Sequence, residues 1–332
     1  MNIIKKIASL HFIYMPMLFP EIKSKLGEDI CIVVYPDNCK WNYIVDCGEA
    51  SLLSVKDCLK TRAIFISHTH IDHFINFDQI MRHQIGTKER YIICGPKNIA
   101  SQVQAKLKSF TWNLVEADAV VYEIREIISE HKILVYELKP AEWELTFLYE
   151  RTSLYKDERV VVNFTILDHK TDVIAYHFKE NDSVSILISE VPYQPGKWIT
   201  ELKQAYLSNN SDEIIIIEEK EYLANDLFHY LKIEKGNTLG VILDHAFHEE
   251  NHAKIKQLFF NCDLVLIECF YKDEDKEKAL LNYHSYASQS GKVMRNAMVK
   301  KAIPIHFSRK YVEQDIIQIE EDFLKEFQVT IN

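Results

Sequence analysis

The stretch FISHTHIDHF, residues 65–74, places His68, His70, Asp72 and His73 within six positions. It follows the apolar run AIFIS (63–67) and leads into FINFDQIMRHQI (74–85), whose apolar spacing is helical. A strand passing through a bend into a helix is therefore predicted. Side chains at 68 and 70 share a face while the backbone is extended, and the start of the helix swings 72 and 73 round toward them. Imidazoles and a carboxylate are the donors that a borderline-soft dication such as zinc prefers. The pattern His-x-His-x-Asp-His should arise by chance in only about one such chain in several hundred. Surface histidines in a polar loop explain it poorly.

Working outward, apolar runs bounded by turns recur at CIVVY (31–35), WNYIVDCG (41–48) and YIICGP (91–96). The middle third changes character. VVYEIREI, KILVYELKP, WELTFLYE, VVNFTILDH and VIAYHFKE, between 120 and 180, alternate as antiparallel strands do. After about residue 196, strand and helix patterns take turns, with EIIIIEE (213–219), GVILD (240–244), DLVLIECF (263–270) and AIPIHFS (302–308) as strands. No repeat, low-complexity tract or Gly/Pro/Ser-rich linker interrupts this order. The whole chain, 1–332, reads as one continuous α/β or α+β domain of two sheets with helices outside. Its eight glycines form no Gly-rich fingerprint after a strand, which excludes a Walker-type or Rossmann-type phosphate loop.

Hydrophobic content of 47% and charged content of 27% describe an ordinary globular protein. The net charge of −10 opposes a nucleic-acid partner, but bound dications would locally reverse that field. Seven cysteines, an odd number without a Cys-x-x-Cys pair, favour a reducing, cytoplasmic setting. The N-terminal IASLHFIYMPMLF (7–19) imitates a signal peptide. His11, Pro16 and the lack of a small-x-small cleavage site make a buried first strand or two the better reading. No segment has the apolar length of a membrane span.

A competing motif occurs at HEENH (248–252), which matches the His-Glu-x-x-His of zinc proteases. So short a pattern should appear by chance in about one chain in twenty of this composition. It also starts right after GVILD, at a helix start rather than in mid-helix, and is read as coincidence. His83, His131 and His177 fall in regular segments and are read as surface or satisfied core residues. Trp112 is read as core packing and Asp168 as a turn residue.

SHTHIDH resembles the His-x-His-x-Asp-His signature of the metallo-β-lactamase superfamily of binuclear hydrolases. LDHKTDVIAYHFKE, GVILDHAF, LVLIECF, NYHSYASQSG and IPIHFSRKY resemble, in order, the later blocks of its ribonuclease Z branch, the tRNA 3′-processing endonucleases. YQPGKWITELK (193–203) is similar to a Pro-Gly block between that branch's third and fourth motifs. The resemblance covers most of the chain from about Asp46 and implies a four-layer αββα sandwich. It also implies one metal on His68, His70 and His169, a second on Asp72, His73 and His306, and Asp244 bridging them. Two cations about 3.5–4 Å apart can share a hydroxide nucleophile and clamp both oxygens of an in-line displacement. Asp72 would orient or deprotonate that hydroxide, and His284 would give a proton to the leaving oxygen. Glu268 would orient His284, while Ser285, Ser308 and Arg309 are candidate phosphate contacts. The resemblance further implies two divalent ions, zinc first with manganese or iron as alternatives, a phosphodiester substrate such as precursor tRNA, and a homodimer.

The sequence departs from that branch in three places. The N-terminal region lacks the glycine-rich start, DCGEASLLSVKDCLK keeping only its first four residues, and LDHAF stands where Gly-Asp-Thr is usual. The interval between His169 and Asp244 also lacks the long Gly/Pro-rich, basic arm with which the branch grips tRNA. A hydrolase of a small phosphodiester, lactone or other ester therefore stays open as an alternative. A purely structural metal protein fits less well, because Asp72 and His284 are not needed merely to hold a fold.

Overall fold

The computed structural model describes residues 18–328. The apolar N-terminal stretch up to Met17, expected to hold a first strand, lies outside the described residues.

The first sheet takes eight strands in chain order: β1 (Leu18–Ile22), β2 (Ile32–Pro36), β3 (Asn42–Val45), β4 (Thr61–Phe65), β5 (Arg90–Gly95), β6 (Val121–Ser129), β7 (Lys132–Leu138) and β8 (Thr146–Arg151). Its outer pairs are antiparallel, while β3 to β6 run parallel. The parallel pairs are those separated by helices, Val55–Lys60, Ile71–Phe74 with Phe77–Gln84, and Ile99–Lys108, as parallel pairing requires a crossover. The chain then forms β9 (Tyr155–Lys156), β10 (Val160–Asp168) and β11 (Asp172–Glu180). An excursion carries β12 (Ser183–Ile186), β13 (Ile214–Ile217), β14 (Lys220–Leu223) and β15 (Leu231–Glu234) before β16 (Thr238–Ile242), β17 (Leu264–Glu268) and β18 (Ala302–Ile305). The second large sheet has the order β18-β17-β16-β11-β10-β9, with β16, β17 and β18 parallel and β11 antiparallel to β16.

Alternation along the strands builds the layers. Ile32 and Val34, Tyr43 and Val45, and Ala63 and Phe65 face the second sheet, meeting Ile174, Tyr176, Phe178, Val241 and Leu266. Their neighbours Val33, Ile44 and Ile64 face the other way, onto Phe77, Ile80, Val103 and Leu107 of the helices. On the outer side of the second sheet, Ala175, Val265 and Ile267 pack against Ile255, Met294, Ile319 and Phe323. The result is the four-layer αββα sandwich. Two hydrogen bonds tie the sheets together where β4 ends: Tyr176 Oη donates to the Ile66 carbonyl at 2.6 Å, and Ile174 N donates to the Ser67 carbonyl at 2.8 Å. They fix the bend that follows.

By its contacts the chain divides into two compact units, Glu180–Gly236 and everything else. The smaller unit has its own core, in which Trp198, Leu202, Ile215, Ile217 and Leu227 are buried together. EIIIIEE, expected as a strand alternating with helices, instead forms the β13–β14 hairpin outside both large sheets. Ile214 and Ile216 face solvent while Ile215 and Ile217 are buried. A strand inside a covered parallel sheet is buried on both faces, and this one is not.

Candidate metal centre

Beyond Phe65 the chain turns through Ser67 and His68 into the short helix Ile71–Phe74. Behind this bend lies Asp46, fully buried at the end of β3 and held at φ 54°. Its carboxylate accepts from Ser67 N at 2.6 Å, Ser67 Oγ at 2.5 Å and His73 Nδ1 at 2.6 Å. Because Ser67 gives its only hydroxyl proton to Asp46, it must accept from His68 Nδ1, 3.0 Å away. His169, in the loop after β10, donates its Nδ1 proton to the Tyr283 carbonyl at 2.6 Å. In their neutral form all three rings are thus held as the tautomer whose Nε2 carries the lone pair, the arrangement that an acceptor behind the ring gives to metal-binding histidines.

Those nitrogens meet at Asp244, buried just beyond β16. Its Oδ2 lies 3.7 Å from His68 Nε2 and 3.5 Å from His169 Nε2, while its Oδ1 lies 3.4 Å from His73 Nε2 and 2.8 Å from His306 Nδ1. One carboxylate therefore faces two sets of donors. The first set, His68, His70, His169 and Asp244, has ligand atoms close enough together to hold one ion, and Asp72, His73 and His306 form a neighbouring set. The structure brings together all seven residues expected as metal ligands.

The residues suit a cation. His68 Nε2 and His73 Nε2 are buried without a hydrogen-bond partner among the described residues. A buried polar atom left unpaired costs about 1–3 kcal/mol, and two aimed at one carboxylate are satisfied together by a divalent ion. The donor set of imidazole nitrogens and carboxylate oxygens fits a borderline ion such as zinc.

His284 stands apart from the ligand sets. Its ring centre is 4.6 Å from that of His169, and its Nδ1 is 2.5 Å from Glu268 Oε1. Burial pushes its imidazolium down, but the Glu268 carboxylate outweighs this and raises it overall. Burial likewise pushes Glu268 up, and the His284 charge prevails to hold it at about 2. Phe270 stacks on the His284 ring at 3.8 Å with an interplanar angle of 6°. Tyr283, at φ 60°, closes the preceding helix and turns His284 into place. Left-handed backbone at Asp46, Tyr283 and His306 clusters here, as strained conformations do at functional sites.

Of the expected phosphate contacts, Ser285 is fully buried and gives its hydroxyl to the Glu268 carboxylate at 2.8 Å. Ser308 is half-buried with its backbone N–H on the Phe270 carbonyl, and Arg309 is exposed and paired with Asp29. In HEENH, His248 caps the helix Glu249–Leu258 through Asn251 N and bonds Asp168 at 3.1 Å. Neither His248 nor His252 joins a metal-capable group among the described residues. Three contributors went unread in the sequence. Asp46 was visible only as the start of DCGE, Phe270 as the end of LVLIECF, and His245, buried 3.5 Å from Glu268 Oε2, as the neighbour of Asp244.

This fold with this centre at its edge defines a metallo-β-lactamase-fold protein, a metal-dependent hydrolase. Within that class the chain is related to ribonuclease Z. It is 24% identical to the ribonuclease Z of Deinococcus radiodurans over 313 residues, covering 90% of this chain and 92% of that protein. It is 27% identical to the ribonuclease Z of Borreliella burgdorferi over 302 residues, covering 86% and 81%. Among solved structures, human tRNase Z, short form, superposes with a TM-score of 0.53 at 15% identity, covering 88% of this chain and 93% of that one. The metallo-β-lactamase-fold protein YhfI of Bacillus subtilis gives 0.53 at 13% identity, covering 90% and 86%. No protein-family model matches the sequence.

Proposed function

We propose that this protein is an endoribonuclease that cuts a phosphodiester at the 3′ end of precursor tRNA. The observation that carries the reading is a histidine, His284, held on the Glu268 carboxylate beside the metal-capable group but outside it. When bound, a pair of divalent ions, zinc first, supplies Lewis-acid activation of the phosphoryl group and of the attacking water. His68, His70 and His169 would hold one ion, Asp72, His73 and His306 the other, with Asp244 between them. Asp72, half-exposed at the rim, orients the water. His284 has its Nδ1 proton committed to Glu268, so its Nε2 proton goes to the leaving oxygen. Glu268 is kept ionised by the His284 charge and fixed in place by Ser285, whose N–H and hydroxyl both bond it. Ser308 and Arg309 lie two and three residues after His306, in the loop beyond it, and are the further candidate phosphate contacts.

The test is metal content together with cleavage of bis(p-nitrophenyl) phosphate and of a 3′-extended precursor tRNA, in wild type and His284→Ala. The variant should keep its metal while turnover falls by about 10²–10⁴-fold. Substantial metal loss in it would sink the proton-donor assignment. Hydrolysis of the small diester without cleavage of the precursor would support the second reading, a hydrolase of small phosphodiesters or esters. That reading is favoured by the acidity of the Glu180–Gly236 unit, which carries eleven Asp and Glu against five Lys.

A further inference from the structure

Beside the metal centre, within the larger unit, lies a pocket of about 470 Å³, a volume typical of small-ligand sites. Phe247, Leu280, Leu281 and Tyr283 give it apolar and aromatic walls, and Lys170 supplies a cation. Its walls are the direct continuations of the site: Lys170 follows His169, Phe247 lies three residues after Asp244, and Tyr283 precedes His284.

Two features mark the pocket as built for a ligand. Leu280 and Leu281 are 63% and 69% exposed, leaving apolar surface in water at its rim. The Lys170 ammonium sits 4.6 Å over the Tyr283 ring and 3.1 Å from the Leu281 carbonyl, with no carboxylate at ion-pair distance among the described residues. The wall's only carboxylate, Asp168, is already engaged by His248 Nε2 at 3.1 Å and Lys170 N at 2.9 Å. A pocket with apolar and aromatic walls and a cation that no carboxylate neutralises among the described residues suits an aromatic base attached to a phosphate.

We propose that this pocket holds the nucleoside that supplies the leaving oxygen, its base between the leucine rim and Tyr283 and its neighbouring phosphate on Lys170. The proposal rests on the phosphodiesterase reading above. His284 delivers its proton to the leaving oxygen, so the group bearing that oxygen must lie next to Tyr283, which lines the pocket.

The test compares two 3′-extended precursor tRNAs that differ only in whether the nucleotide supplying the leaving oxygen carries its base. Wild-type enzyme should cleave the abasic precursor with kcat/KM lower by about tenfold, the scale of one base–aromatic stack. Leu281→Ser, a change at an exposed position, should bring that ratio toward one. Lys170→Ala should reduce the slope of log kcat/KM against log salt concentration by about one, the signature of one lost phosphate contact. Equal cleavage of both precursors by wild type would overturn the proposal and leave the endonuclease standing, as would a ratio that Leu281→Ser does not change. Failure to cleave either precursor, with hydrolysis of bis(p-nitrophenyl) phosphate intact, would overturn the RNA reading and the proposal with it.

Discussion

A single buried carboxylate organises half of the candidate metal centre. Asp46 fixes the tautomer of His73 directly and that of His68 through the Ser67 hydroxyl. Asp46→Asn keeps the shape but replaces one acceptor oxygen with an amide donor, so His73 or Ser67 loses its partner. The variant should fold and bind metal about 10–100-fold more weakly, the usual scale for lost outer-shell support; competition with a chelator measures it, and unchanged affinity would show that the Asp46 contacts do not tune the ligands. Four of the candidate ligands were legible from spacing, which brings His68, His70, Asp72 and His73 onto one bend, whereas His169, Asp244 and His306 were legible only through the resemblance to the ribonuclease Z blocks. Asp46 was not, because an acid after a strand reads as a turn residue until the fold sets it against a ring 27 positions away. Phe270 was hidden in the same way, since its stack on His284 joins two loops that only the tertiary structure makes neighbours.

Among the elements, the helix Ala287–Asn296, which begins three residues after His284, lies close against the helix Glu313–Phe327 at Gly291, where a Cβ would run into the Phe323 carbonyl. Gly291→Ala must push the helices apart and should cost about 1–3 kcal/mol, read as a lower urea midpoint at an unchanged slope. The strand β11 carries an acid-sensitive group. Burial, with a smaller effect from Lys179, lowers His177 from 6.5 to about 4, and its Nδ1 has no hydrogen-bond partner among the described residues. The native ring is therefore neutral where the unfolded one binds a proton, so stability falls as pH drops from 6.5 toward 4 and levels off below. Between pH 7 and pH 4.5, wild type should lose about 2 kcal/mol more than His177→Gln; equal losses in urea unfolding would place the acid sensitivity elsewhere. Strand positions themselves were legible from alternation, since β6, β7, β10 and β11 follow the quoted runs to within three residues at each end. The partner of a strand was not: EIIIIEE has the composition of a buried strand, and only its local pairing with Lys220–Leu223 shows that one face stays in water.

At the scale of the molecule, the sequence reads as continuous because no Gly/Pro/Ser-rich linker sets off Glu180–Gly236, so the limits of this compact unit appear only in the contacts. Its two ends lie side by side: Ser183 pairs with Glu234 across β12 and β15, and a Cβ at Gly236 would strike the Glu180 carbonyl. A short Gly-Ser link can therefore replace residues 181–235 without stretching β11 or β16. The seven metal-capable residues and the three large core clusters all belong to the remaining unit. The shortened chain should unfold in one cooperative transition, retain its metal and hydrolyse bis(p-nitrophenyl) phosphate within a factor of a few of the full chain. Loss of metal would mean that the excursion supports the centre despite its separate core. Cleavage of precursor tRNA by the same chain distinguishes two ways of gripping RNA. A unit with eleven acids and five lysines repels a phosphate backbone rather than holding it, so precursor cleavage should survive its removal. A selective fall in kcat/KM for the precursor, with the small diester unaffected, would instead assign RNA binding to the excursion through contacts other than charge.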